Sequence, residues 1–130
     1  MTRLLIDSHF VIAVVEDRRD DLSRTVRLAL ENSRSEVYAS VASLWEIAIK
    51  VRLGKLPLRT MLRQLPDAIR SYGITLLPVE AVHVLTEVDP WPATRDPFDR
   101  LLLAQCLVEN LRLVTRDRAL AAHPLAWKPA

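Results

Sequence analysis

A single cysteine among 130 residues excludes an internal disulfide and any cysteine-based zinc cluster, and it suits a reducing, cytoplasmic setting. Cys106 is expected to serve as a small core residue. Histidine is almost as scarce, and His9, His83 and His123 lack the i, i+4 spacing of a helical zinc site, so all three are expected to be structural or surface residues. Aromatic residues make up only 5% of the chain. With Trp45, Trp91 and Trp127 dispersed, packing or an interface is favoured over a base-stacking platform. The longest uncharged apolar stretch near the N-terminus, Ser8 to Val15, is too short to span a bilayer, and Asp7 precedes it where an export signal would be basic. The expectation is a soluble, unexported protein with no membrane partner. Internal repeats and low-complexity segments are absent, and a formal charge of +2 permits a nucleic-acid partner without arguing strongly for one. What remains is an ordinary globular mix, half apolar and 26% charged. It is long enough to bury roughly two-thirds of its unfolded surface as one domain over residues 1–130.

Short apolar runs alternate with helical patterns, the signature of βαβ units around a parallel sheet. Strands are expected at Arg3 to Ile6, Val37 to Ala39, Ile74 to Leu77 and Leu111 to Thr115, with Leu125 to Trp127 as a possible last edge strand. Ser8 is placed to cap a first helix, which ends before a solvated turn from Glu16 to Asp21. A second helix covers Leu22 to Asn32, and Ser40 or Ser43 starts a third that stops at Gly54 and Pro57. Arg59 to Tyr72 reads as a helix kinked or split by Pro66, and Val79 to Val88 as another. The segment from Asp89 to Thr94 is a stiff, proline-rich loop, a natural lid or partner surface. Asp96-Pro97 opens a helix reaching about Asn110, and Asp117 to Ala122 forms a short final one. The predicted fold is a three-layer α/β/α sandwich with a central, mostly parallel sheet of four to five strands.

Four carboxylates, Asp7, Glu46, Asp99 and Asp117, each sit where an apolar run meets a helix start. Parallel strands would bring such positions to one sheet edge, where open α/β folds place ligands. Carboxylates gathered there repel one another unless a cation lies between them or some are protonated, and an oxygen-seeking ion such as Mg²⁺ or Mn²⁺ resolves that conflict. Asp7 and Asp99 are the expected main metal ligands. Asp117 completes the site directly or through water, and Glu46 binds a second ion or orients the nucleophile. Thr115 and Ser8 are placed to position water or phosphate, and one ion or two remains open. Each acid also has a local explanation. Asp7 and Asp117 can cap helices, Glu46 can pair with Lys50 at i, i+4, and Asp99 can support a helix start already explained by Asp96. Arg52, Lys55, Arg59 and Arg63 form a basic stripe that reads as a solvated face before it reads as a phosphate track. Leu62, Leu65 and Ile69 suit either the core or a groove for a partner helix.

Four segments carry a resemblance that runs nearly end to end: Leu4-Leu5-Ile6-Asp7-Ser8-His9, Ser43-Leu44-Trp45-Glu46-Ile47-Ala48-Ile49-Lys50, Arg95-Asp96-Pro97-Phe98-Asp99-Arg100, and Leu113-Val114-Thr115-Arg116-Asp117. In this order and spacing the chain resembles a PIN domain, specifically the VapC toxins of bacterial toxin–antitoxin pairs. The resemblance implies a Mg²⁺- or Mn²⁺-dependent endoribonuclease that hydrolyses RNA with a metal-activated water. It also implies a homodimer held inactive by a cognate antitoxin protein. Thr94 stands where relatives of this subgroup often carry histidine. The alternatives are a PIN-like module that binds a partner without cleaving and, further off, a Mg-dependent phospho-accepting receiver. The receiver would need an acidic pair near the first strand and a lysine after a late one, and neither is present.

Overall fold

The computed structural model describes residues 1–129; residue 130 of the expected 1–130 domain lies outside the described residues. Four parallel strands, β1 (Thr2–Ile6), β2 (Ser35–Ser40), β3 (Thr75–Leu77) and β4 (Arg112–Val114), form a sheet in the order β3-β2-β1-β4. Because side chains alternate across a strand, β1 divides its apolar triplet between two cores. Leu4 and Ile6 join Val37, Ala39 and Val114 on one face, while Leu5 joins Leu77 and Leu113 on the other. The first face is covered by α1 (Ser8–Val15), α2 (Arg24–Glu31), α3 (Val41–Arg52) and α4 (Leu65–Ser71). The second is covered by α6 (Pro97–Glu109) and the short α7 (Arg118–Ala121), with α5 (Ala81–Leu85) tied to α6. The predicted three-layer sandwich is the observed one. No helix among the described residues is long and apolar enough to cross a membrane.

Helix starts follow local chemistry. Ser40 caps α3 by accepting from the Ala42 N–H at 3.0 Å and is fully buried. Ser40→Ala is therefore expected to cost about 1 kcal/mol, read as a lower urea midpoint at unchanged slope. Asp96 caps α6 with Pro97 in its first turn, as the dipeptide predicts. Asn110 ends that helix in the left-handed region at φ 56°, a conformation asparagine tolerates well. The α3 stop falls at Gly54, φ +71°, as expected.

Several expectations need correction. Asp7, not Ser8, caps α1, since its carboxylate accepts from the Phe10 N–H at 3.2 Å. Between Arg59 and Tyr72 no continuous helix forms. A loop and a 3₁₀ turn at Leu62–Gln64 precede α4, and Pro66 lies in the first turn of α4 instead of kinking a longer helix. Proline fits there because first-turn N–H groups have no intrahelical acceptor. Leu65 and Ile69 are buried in the core with Leu62 packed against them, so the partner-groove alternative for these three gives way to core packing. Leu125 to Trp127 makes a single bridge to β4 through Leu113 rather than a strand. Glu16, assigned to a solvated turn, is buried. It accepts from the Arg59 N–H at 2.7 Å, the Thr60 N–H at 3.0 Å and the Thr60 hydroxyl at 2.6 Å. Cys106 is fully buried as expected, and desolvation pushes its thiol up to about 12, which leaves it chemically quiet.

Candidate active site

Parallel strands deliver their carboxyl ends to one edge, and the four acids stand there. Asp7 follows β1, its N–H bonded to the Val114 carbonyl at 3.2 Å, and Asp117 follows β4 as the cap of α7. Glu46 projects from the second turn of α3 and Asp99 from the first turn of α6. Each local explanation anticipated from the sequence is realised. Asp117 accepts from the Ala119 N–H at 2.9 Å, and Lys50 Nζ lies 3.5 Å from Glu46 Oε2. These contacts do not exhaust the carboxylates, each of which has acceptor sites on two oxygens.

The electrostatics show the acids acting on one another. Desolvation raises the Asp7 carboxyl, with the Glu46 charge adding to the rise, while the Thr115 hydroxyl, the Phe10 N–H and His9 pull it down. Asp99 is raised to about 6, first by desolvation and then by the Asp96, Asp117 and Glu46 charges, with the Thr94 hydroxyl opposing them. Thus Asp7 feels Glu46, and Asp99 feels both Glu46 and Asp117. Mutual repulsion in a partly dehydrated pocket is the condition that a bound cation relieves.

Neighbouring residues fix the carboxylates in place. Ser8 Oγ donates to Glu46 Oε1, joining the start of α1 to α3. Thr94 is buried; its hydroxyl donates to Asp99 Oδ2 at 3.2 Å and accepts from the Asp96 N–H at 3.1 Å. Its carbonyl accepts from Arg100 Nε at 2.9 Å. Thr94 therefore holds the Asp99 carboxylate from the loop that precedes α6. Sequence reasoning missed this role, although the position of Thr94 immediately before the Arg-Asp-Pro-Phe-Asp-Arg segment carried the signal.

Among the described residues, one trio of ligating atoms lies mutually within 4.8 Å, and it is elsewhere: Glu80, His83 and Glu109. There His83 Nδ1 accepts from the Glu80 N–H at 3.0 Å, and Nε2 faces Glu109 Oε2 at 2.7 Å. Both ring nitrogens are engaged, Nδ1 at the start of α5 and Nε2 in the tether to α6, which leaves no lone pair for an ion. His83 and His123 are buried, and His123 bridges the Pro90 carbonyl at 2.9 Å, consistent with the structural role expected of them. Of the packing or interface roles expected of the tryptophans, core packing does not apply to Trp45 and Trp91, which are each 63% exposed.

Residues 4–124 match the PIN domain family. Over 129 residues, 95% of this chain and 93% of the relative, the sequence is 33% identical to Ribonuclease VapC22 of Mycobacterium tuberculosis. It is 38% identical to Ribonuclease VapC16 of the same organism over 64 residues, 48% of this chain and 45% of that one. The fold superposes on a chain of the VapBC2 complex from Rickettsia felis bound to a promoter DNA fragment, with TM-score 0.63, 15% identity and 96% of each chain covered. A toxin–antitoxin complex from Klebsiella pneumoniae gives TM-score 0.62, 15% identity and 98% coverage of each chain.

Proposed function

Because this chain belongs to the PIN-domain family, and within it to the VapC-type ribonucleases, we propose that it is a metal-dependent endoribonuclease, the toxin of a toxin–antitoxin pair, with its reaction centre at the acidic sheet edge. The observation that carries this reading is the set of interacting carboxylates Asp7, Glu46, Asp99 and Asp117, the first three partly or wholly withdrawn from solvent and Asp117 exposed beside them. An all-oxygen donor set suits a hard cation, Mg²⁺ or Mn²⁺, better than the nitrogen- and sulfur-seeking zinc. Asp7 and Asp99 would hold the ion, with Asp117 and Glu46 completing the site. When bound, such an ion offsets charge on the scissile phosphate and lowers the pKa of coordinated water.

The chain's own residues do the rest. Thr94 orients the Asp99 carboxylate, Ser8 orients Glu46, and the Thr115 hydroxyl sits against Asp7 and accepts from the Asp117 N–H at 3.1 Å. In this role the protein works as one domain over residues 1–130 in the cytoplasm, as a homodimer whose activity is masked by a cognate antitoxin. The structures of similar fold include a chain of the Rickettsia VapBC2 complex and a chain of the Klebsiella toxin–antitoxin complex, which supports the antitoxin partner.

Incubation with total RNA in Mg²⁺ or Mn²⁺ should give cleavage that EDTA abolishes and Asp7→Asn suppresses. Equal cleavage by both proteins, indifferent to EDTA, would discard the mechanism. Mn²⁺ binding without cleavage would leave a partner-binding module.

A further inference from the structure

The loop between α5 and α6 places an indole at the rim of the acidic site. Trp91 is 63% exposed, yet one face of its ring is covered: the Arg100 guanidinium carbon lies 4.5 Å from the ring centroid. That guanidinium is itself held, because Arg100 Nε donates to the Thr94 carbonyl. Thr94 in turn donates to Asp99 Oδ2. An unbroken line of contacts therefore runs from the indole through Arg100 and Thr94 to a carboxylate of the reaction centre. The Pro90 carbonyl, one residue before the indole, is anchored by His123. Trp91 thus has one ring face backed by Arg100 while the residue as a whole stays largely open to solvent. Arg95, Arg116 and Arg118, on the two segments that carry Thr94 and Asp117, are all exposed, so the acidic pocket is bordered by cations suited to a polyanion.

We infer that Trp91, backed by Arg100, is the stacking surface for an unpaired RNA base next to the cleaved phosphate, and that it sets where single-stranded RNA is seated. The inference rests on the ribonuclease reading above. Aromatic faces bind bases of any identity by stacking, and guanidinium planes share in such contacts. A ring already ordered by a cation loses little freedom when a base arrives. A protein contact is the competing use of an exposed tryptophan. Its position on a loop tied to Asp99 and bordered by exposed arginines favours RNA.

The test uses the intact protein and a random-sequence pool of short single-stranded RNA. For Trp91→Ala we expect KM to rise at least about tenfold with kcat within twofold, and for Trp91→Phe most of the loss to be restored. Wild type should bind an abasic oligomer of the same charge more weakly by a similar factor. That comparison needs no variant and stands even if Trp91→Ala fails to fold. Unchanged KM in Trp91→Ala, or equal wild-type affinity for abasic and ordinary oligomers, overturns the stacking role while metal-dependent cleavage by wild type keeps the ribonuclease reading. A change of oligomeric state in Trp91→Ala with unaltered RNA binding per protomer assigns the indole to a protein contact instead. Wild type that neither binds nor cleaves any of the pool removes both readings together.

Discussion

Asp99→Asn should reduce metal-dependent RNA cleavage by roughly a hundred- to a thousandfold, because a ligand carboxylate underlies several kcal/mol of transition-state charge compensation and each 1.36 kcal/mol is a tenfold rate change. The same substitution should make the metal-free protein more stable near pH 7. The Asp99 carboxyl is raised to about 6 in the folded protein by desolvation and by Asp96, Asp117 and Glu46, against about 3.9 in an unfolded chain. Ionisation therefore opposes folding. This cost is fully present above pH 6, shrinks as the pH falls, and is gone below about pH 4, where the group is protonated in both states. Asparagine carries no charge and still offers an acceptor oxygen to the Thr94 hydroxyl. Thermal melts in EDTA should show the variant above wild type at pH 7 and the two converging towards pH 4. A variant that melts lower than wild type at pH 7 would contradict the account of an electrostatically strained pocket.

Glu16→Ala is expected to produce the largest loss of stability, about 2–4 kcal/mol, since it removes a buried charged acceptor and strands three donors. Desolvation pushes the Glu16 carboxyl up, but the Thr60 hydroxyl, the Arg59 and Thr60 N–H groups and the Arg18 charge together bring it below the usual range. A lowered value reverses the sign found for Asp99. The stabilisation is complete above the unfolded value of about 4.3 and is lost as the pH falls through the lower folded value. Urea titrations should accordingly show wild type well above Glu16→Gln at pH 7, with the gap closing in acid. Glu16→Ala within about 0.5 kcal/mol of wild type at pH 7 would mean that the 55–64 segment holds its place without this clamp.

The parts of the fold that could be read from sequence were those governed by local rules. Leu4-Leu5-Ile6 is apolar throughout because β1 lies inside the sheet with both faces covered. Asp96-Pro97 announces a helix start through capping and a fixed φ. The four acids are brought to one edge by parallel pairing, which the alternation of apolar runs and helices already implied. The departures are tertiary. Whether Pro66 starts a helix or breaks one depends on what precedes it, and the loop before α4 is held by Glu16, more than forty residues away. A lone glutamate next to a charged stretch gives no hint that three donors will converge on it. Nor do spacings reveal that Trp45 packs against Phe98 at 5.5 Å while remaining exposed. The role of Thr94 escaped for the same reason, since a hydroxyl becomes informative only once its partner is known.

The strand order also governs when the acidic edge can form. β1 precedes the other three strands of the sheet in the chain, and its neighbours on either side are β2 and β4, the latter paired through Leu4 with Arg112 and Ile6 with Val114. Asp7 and Asp117 therefore stay on unconnected stretches of nascent polypeptide until β4 has been made, because pairing this distant in sequence closes last. A product that ends before β4 lacks Asp117 and the strand that brings it to the edge. The acidic edge is accordingly assembled in one late step, when β4 docks beside β1.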